Sequence, residues 1–446
     1  MESPEAAVER LRTAGVRLLQ MTLVDSAAIT RVKLLPIDRL LHAARSGVGW
    51  SDCWAVVCID DSFAFVPPFD TPSGDLRLVP DLTAAVPLGA RPGYGWAPAD
   101  EFDQDGSERE TCPRGAVRRL TAALGTRGYA LKATYEIEFT LFFRDGTPAH
   151  QGPGYSTAAL MPLERFALGL ADALAAQGVP VETLHPEYSP GQFELAVSPS
   201  DPVTAADRLV LVRHTIRQLA FDHDLDVSFA PIVAPGGLGN GCHLHLSLWQ
   251  DGRSLMTGGP PPTGLDGAGG LFTAGLLHHL PAMLALLAPS VPSYERLVPG
   301  HWSGGTACIG VENREAALRV IPGSIASRGQ SANVELKVVD GSANPYLALA
   351  ATIAAGTAGI DEALPVPVSV EGDPATLSEQ ARRRAGIQPL PRTLGEAAEA
   401  FAGWEVGRAA FGTVMHDALT AVRRREWQIY GAAESDEVVR ALRFRY

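Results

Sequence analysis

The chain has 446 residues, among them 45 Gly and 34 Pro, and its 50 acidic against 37 basic side chains leave a formal net charge of −13. That length needs more than one small core, and the acidic balance excludes nucleic acid and an anionic membrane surface as natural partners. Five scattered cysteines with no Cys-x-x-Cys pair, and a polar N-terminus without a signal-peptide pattern, predict a reduced, cytoplasmic protein.

In chain order, Ser3-Pro4 starts a polar helix. Residues 16–26 and 27–36 read as two strands around a turn at Asp25–Ala28, and 36–47 as a short helix. WAVVCI, FAFVP and DLRLVPD add strand-like pieces, which makes a small α+β unit. The Gly-, Pro- and charge-rich stretch 89–110 is the expected domain junction. A helix from Pro113 then leads into a long strand, LKATYEIEFTLFF (131–143), and a helix over 161–178 leads into strand pieces at 179–185 and 191–197. A third helix, 201–224, precedes the strand in GNGCHLHLSL (239–248). The apolar stretch 271–291 is broken by His278, His279 and Pro281 and reads as a packed helix, not a membrane span. Strands at 315–321 and 333–339 and an Ala-rich helix from Asn344 follow. Helices alternating with strand pairs predict a large mixed sheet backed by helices.

Several of these strands alternate in an unusual way. Side chains point to opposite faces in turn, so Glu136 and Glu138 share one face of YEIEF, and His243, His245 and Ser247 share one face of HLHLS. Glu187 and Glu194 flank a Pro-Gly turn, and Glu335 alternates with Val334 and Leu336. Five carboxylates and an imidazole on one buried face would repel without a cation, and mostly oxygen with one nitrogen favours Mg²⁺ or Mn²⁺. Arg314 and Arg319 lie five apart in ENREAALRVIP, and Arg296 precedes a Pro-Gly turn. Arginine forks and metals around one cleft describe phosphoryl transfer. Neither a Gly-x-x-x-x-Gly-Lys-Ser/Thr loop nor a kinase motif set occurs.

Taken in order, YEIEF, EYSPGQFE, GNGCHLHLS, SYERLVPG, ENREAALRVIP and VELKVVDGSANPYLALA resemble the signature series of the glutamine synthetase family. The resemblance implies an α+β protein with an N-terminal β-grasp domain (1–106) and a catalytic domain (107–446). It also implies ring-shaped homo-oligomers, commonly dodecamers, with active sites between subunits. By the same resemblance, Glu138, Glu187 and Glu194 hold one metal and Glu136, His243 and Glu335 the other, next to ATP. Glu182, His245 and Ser247 fall on the nucleotide side, Gly239 and Arg296 on glutamate, and Arg314 and Arg319 on the transferring phosphoryl group. Asn333 and Lys337 stand where the family often has arginines, Lys337 being placed with the substrate contacts, and Leu238 stands where it has Asn.

The implied reaction is attack of the glutamate γ-carboxylate on ATP, then displacement of phosphate by an amine. Ammonia-using members place an Asp where GVGWSDCW has Ser51, with Asp52 one residue later, and a Glu where the flap has Trp302. The expected acceptor is therefore a small substituted amine, ethanolamine first, with polyamines less favoured because both replacements remove negative charge. The alternatives are glutamine synthesis with Asp52 as the acid, and a non-catalytic homologue, against which all six metal-ligand positions stand.

Overall fold

In the computed structural model, which describes residues 2–71 and 73–446, the strands sort into two sheets. The smaller runs in the order β2 (Thr30–Pro36), β1 (Leu18–Val24), β6 (Tyr94–Phe102), β4 (Asp75–Pro80) and β3 (Val48–Ser51), with β5 (Val86–Pro87) paired to β6. Helix Pro4–Thr13 is capped as its sequence predicts, by Ser3 accepting the Ala6 N–H, and Leu11 joins Leu19, Met21, Leu40 and Leu78 in the core of this sheet.

Two features of this region were not expected. The stretch 89–110, read as a domain junction, contains a strand: β6 runs through the middle of the small sheet and is buried from Gly95 to Glu101. Its glycine serves close approach: a Cβ on Gly95 would come 3.1 Å from Leu19 and 3.2 Å from the Val86 carbonyl. WAVVCI and FAFVP form no strand. Ser51 accepts the Cys53 N–H and opens a short 3₁₀ turn, Asp52–Ala55, after which only Val57 and Phe63 pair. This apolar run packs instead beneath helix Thr413–Tyr430, through Val56, Cys58, Phe69, Ala418 and Val422.

The larger sheet has nine strands. Its main path is β13 (Thr306–Val311), β14 (Ala316–Ile321), β15 (Asn333–Leu336), β11 (Cys242–Gln250), β7 (Ala130–Phe143), β9 (Gln192–Val197) and β8 (Val181–Pro186). Strand β10 (Leu225–Ser228) pairs with β7, and β12 (Arg253–Ser254) with β11. Strands β13 and β14 are parallel and their neighbours antiparallel, which makes the mixed sheet expected, although β15 is shorter than the predicted 333–339. Tyr135, Ile137 and Phe139 turn into the main core, on which helix Pro202–Asp222 packs. Helices Gly267–Leu287 and Pro345–Asp361 pack against each other through glycine, since a Cβ on Gly275 would sit 2.3 Å from the Ala355 carbonyl. Among the described residues, Gly267–Leu287 is the one helix long and apolar enough to cross a membrane, and 72% of its apolar window is buried in the protein.

A buried ion network ties the small sheet to the large one. Arg114 reaches Asp81 at 2.7 Å, Asp100 at 2.8 Å and Asp207 at 2.9 Å, and the Tyr346 hydroxyl donates to Asp207 at 2.7 Å. Asp100 keeps a second ion-pair partner in Arg118, whereas Arg114 is the one cation paired with Asp81 and Asp207 among the described residues. Arg114→Leu should therefore destabilise the fold by about 3 kcal/mol, read as a lower urea midpoint, because it strands buried charge. An unchanged midpoint would refute the network's structural role.

Candidate active site

Strand register assembles the site. Glu136 stands opposite His243 across β7 and β11, and Glu138 opposite Glu194 across β7 and β9. Glu335 stands opposite His245 on one side and Arg319 on the other, while His185 stands opposite Glu194. Because the period is two, each of these chains lies on the face away from Tyr135, Ile137 and Phe139.

His243 Nδ1 is 3.0 Å from Glu136 and 3.4 Å from Glu335, and its Nε2 is 3.3 Å from Arg296. Lys337 and Arg319 reach Glu335 at 3.0 and 3.3 Å. Burial opposes the Glu136 charge, but the His243 hydrogen bond and both histidines outweigh it and bring its carboxyl down to about 2. At Glu335 burial is likewise overcome, by Lys337, the two histidines and Arg319, and the carboxyl lies well below its usual range. Glu194 goes the other way: burial first, then the charges of Glu136, Glu138 and Glu187, push it up to about 10. Glu187 is half-buried, and although that desolvation opposes its charge, His185, the Tyr155 hydroxyl and the Tyr188 N–H hold it below normal.

That contrast tests whether a cation fits. Ligand atoms of Glu136, Glu194 and His243 lie within 4.8 Å of one another, as do those of His185, Glu187 and Glu194, and of Glu136, His245 and Glu335. Glu194 belongs to two of these groups and resists ionising without a counter-charge, so the set suits hard divalent ions held mainly by oxygen. Glu138 lines the same cavity, but Gln192 and the Gly241 N–H both bond one of its oxygens at 2.8 Å. Its other oxygen lies 3.8 Å from His243.

A cavity of about 820 Å³ opens over this face. Of the expected residues, Glu136, Glu138, Glu187, Glu194, Gly239, His243, Arg296, Trp302, Arg314, Arg319 and Lys337 line it, and Leu238 joins them. Arg296 is buried, with its guanidinium on the carbonyls of Val338 (3.1 Å) and Lys337 (2.8 Å). Gly239 is dictated by approach, since a Cβ would meet the Pro231 carbonyl at 2.3 Å and Arg296 at 2.8 Å. Glu335, His245, Ser247 and Glu182 do not line the cavity; Ser247 accepts the Trp249 indole N–H at 2.8 Å, and Glu182 is bonded by the Ser198 hydroxyl. Ser51 ends β3 of the small sheet and Asp52 begins the turn after it, both outside this cavity; Asp52 is 3.7 Å from Arg109, and Ser51 faces the Cys53 sulfur at 3.1 Å.

Tyr155, His185, Tyr188 and Gln192 are among the lining residues that the sequence reading did not single out. Gln192 carries a usable signal, because it stands two residues before Glu194 on β9 and so shares its face; His185 is on β8, opposite Glu194. Tyr155 gives none. It comes from a loop, at φ 59°, to stack on His185 at 4.8 Å and donate to Glu187.

The family model for the glutamine synthetase catalytic domain matches residues 110–441. The chain is 43% identical to the gamma-glutamylpolyamine synthetase GlnA3 of Streptomyces coelicolor, over 100% of this chain and 97% of that protein. It is 34% identical to the glutamine synthetase of Thermus thermophilus, over 74% and 75% of the two chains. Among solved structures, a novel glutamine synthase homolog superposes with a TM-score of 0.87 at 35% identity, covering 97% of this chain and 99% of that one. A GmaS/ADP complex gives 0.84 at 26% identity, covering 98% of each.

Proposed function

Because the chain belongs to the glutamine synthetase family and is an ATP-dependent ligase, we propose that it joins the γ-carboxylate of glutamate to an amine other than ammonia. Glu136, His243 and Glu335 would hold one divalent ion and Glu138, Glu187 and Glu194 another, with His185 within reach of the second. Two or more bound Mg²⁺ or Mn²⁺ ions would supply charge neutralisation for phosphate and carboxylate oxygens. Arg296 and Gly239 bind glutamate. Lys337 holds Glu335 in place, and Arg314 and Arg319 face the phosphoryl group in flight. Glu182, His245 and Ser247 lie on the nucleotide side. The γ-carboxylate oxygen bonds to the terminal phosphorus of ATP as the bond to ADP breaks. An amine nitrogen then bonds to the acyl carbon, phosphate leaves, and the nitrogen gives up a proton.

The acceptor reading rests on one observation: the flap Val298–Gly304 carries no acid, and offers Trp302 to the cavity instead. An indole wall suits a carbon substituent better than it suits bare ammonium. A small neutral-tailed amine such as ethanolamine is the first choice. The name of the Streptomyces relative favours a second, a polyamine. A homo-oligomer, a dodecamer with Ser51 or Asp52 facing a neighbour's site, and a cytoplasmic location complete the proposal.

Phosphate release from ATP, with glutamate and Mg²⁺ or Mn²⁺ across a panel of amines, tests it. The expected result is turnover with ethanolamine or a polyamine, little with ammonium, and an amide product by mass spectrometry. Turnover with ammonium alone would make the enzyme a glutamine synthetase and leave Trp302 a packing residue.

A further inference from the structure

Trp302 presents a physical problem. Its φ is 53°, in the left-handed region that a bulky side chain avoids, and its indole is 54% exposed, so packing does not hold it there. The backbone is held instead. Glu315, only 7% exposed, accepts the Gly300 N–H at 3.2 Å on one oxygen and the Trp302 N–H at 2.9 Å on the other. Among the described residues these two amides are the donors to its carboxylate. A buried carboxylate satisfied by loop amides makes charge-assisted bonds, which can hold a strained residue in place.

We propose that Glu315 is a positioning residue for amine selection, tethering the 298–304 loop so that Trp302 forms a fixed wall against the amine's carbon substituent. Held this way, the indole meets Tyr188 edge-on at 6.4 Å and lies 5.9 Å from the Arg314 guanidinium. Tyr188 in turn meets Tyr155 edge-on at 6.0 Å, and Tyr155 donates to Glu187. The tether thus closes an aromatic arc that runs from the loop to the carboxylates, a surface that takes an alkylammonium by its methylenes. Glu315 lies next to Arg314 in the turn just before β14, so one turn carries the arginine and anchors the loop. The selection part of this inference rests on the amine-ligase reading; the tether does not.

The test compares wild type, Glu315→Ala, Glu315→Gln and Trp302→Ala as full-length, metal-loaded enzyme. Hydrogen exchange at the Gly300 and Trp302 amides should speed up roughly tenfold or more in Glu315→Ala and less in Glu315→Gln, which keeps an acceptor oxygen. The KM for the best amine should rise roughly tenfold in Glu315→Ala and Trp302→Ala, with the KM values for glutamate and ATP within about twofold. Unchanged exchange in Glu315→Ala overturns the tether. Faster exchange with an unchanged amine KM overturns the selection role. If wild type uses ammonium alone, the amine reading falls while exchange still reads the tether. Should Glu315→Ala fail to fold, Glu315→Gln and Trp302→Ala carry the same comparison.

Discussion

Glu194→Gln is expected to raise the melting temperature of the metal-free protein while lowering ligase turnover by about 10⁴-fold. The two effects have one cause. Without a cation, Glu194 is half-buried among Glu136, Glu138 and Glu187, and its carboxyl rises from an ordinary 4.5 to about 10. Between those values the folded protein binds a proton that the unfolded chain has released, so stability falls as pH rises through that window. Metal-free wild type should therefore lose melting temperature from pH 6 to pH 9, and the glutamine variant should lose less. Mn²⁺ reverses the order. It binds the folded wild type and stabilises it by mass action, whereas the variant has lost a ligand shared by two of the three candidate clusters. Melting curves at three pH values, with and without Mn²⁺, decide the matter. A variant that melts no higher than wild type without metal would remove the like-charge argument, and one that keeps its Mn²⁺ response and full turnover would remove Glu194 from the metal site.

How much of this was legible depends on the kind of signal. Strands β7 and β11 could be read because a period of two separates Glu136, Glu138 and His243 from the leucines and aromatics behind them, and the structure keeps that separation. Gln192, two residues before Glu194 on β9, obeys the same rule and was within reach of it. Strand β6 was misread because Gly95 and Pro98 normally punctuate loops; here the glycine makes room for Leu19, a contact with no local trace. The 52–69 segment was misread because an apolar run is consistent with a strand, and only helix Thr413–Tyr430, far along the chain, claims it. Tyr155 and Glu315 were invisible for the same reason. Glu315 stood between Arg314 and Arg319 in a motif read for its arginines, and its partners lie on another loop. Period and composition place side chains on a face, whereas loop-to-loop contacts are tertiary.

Arg319→Lys should reduce turnover by about 10³-fold with the KM values for glutamate and ATP little changed, because a phosphoryl group in flight is met by the planar fork and not by charge alone. In the structure one terminal nitrogen of Arg319 lies 3.3 Å from Glu335, the other bonds Glu312, and the buried Nε–H has no partner among the described residues. A buried donor left free on a residue that lines the cavity is poised for an oxygen the resting protein does not supply. Lysine would keep the positive charge beside Glu335, which Lys337 already contacts at 3.0 Å, so the carboxylate would stay ionised and its site stay formed. What lysine cannot do is hold Glu335 and Glu312 and still present a directed N–H to the cavity. An interaction made only in the transition state shows in kcat and leaves substrate binding alone. Steady-state kinetics on the best amine, with calorimetry of a non-hydrolysable ATP analogue to confirm that the nucleotide still binds, separate the cases. Turnover within tenfold of wild type would reduce Arg319 to a counter-charge for Glu335, and the phosphoryl role would pass to Arg314 alone.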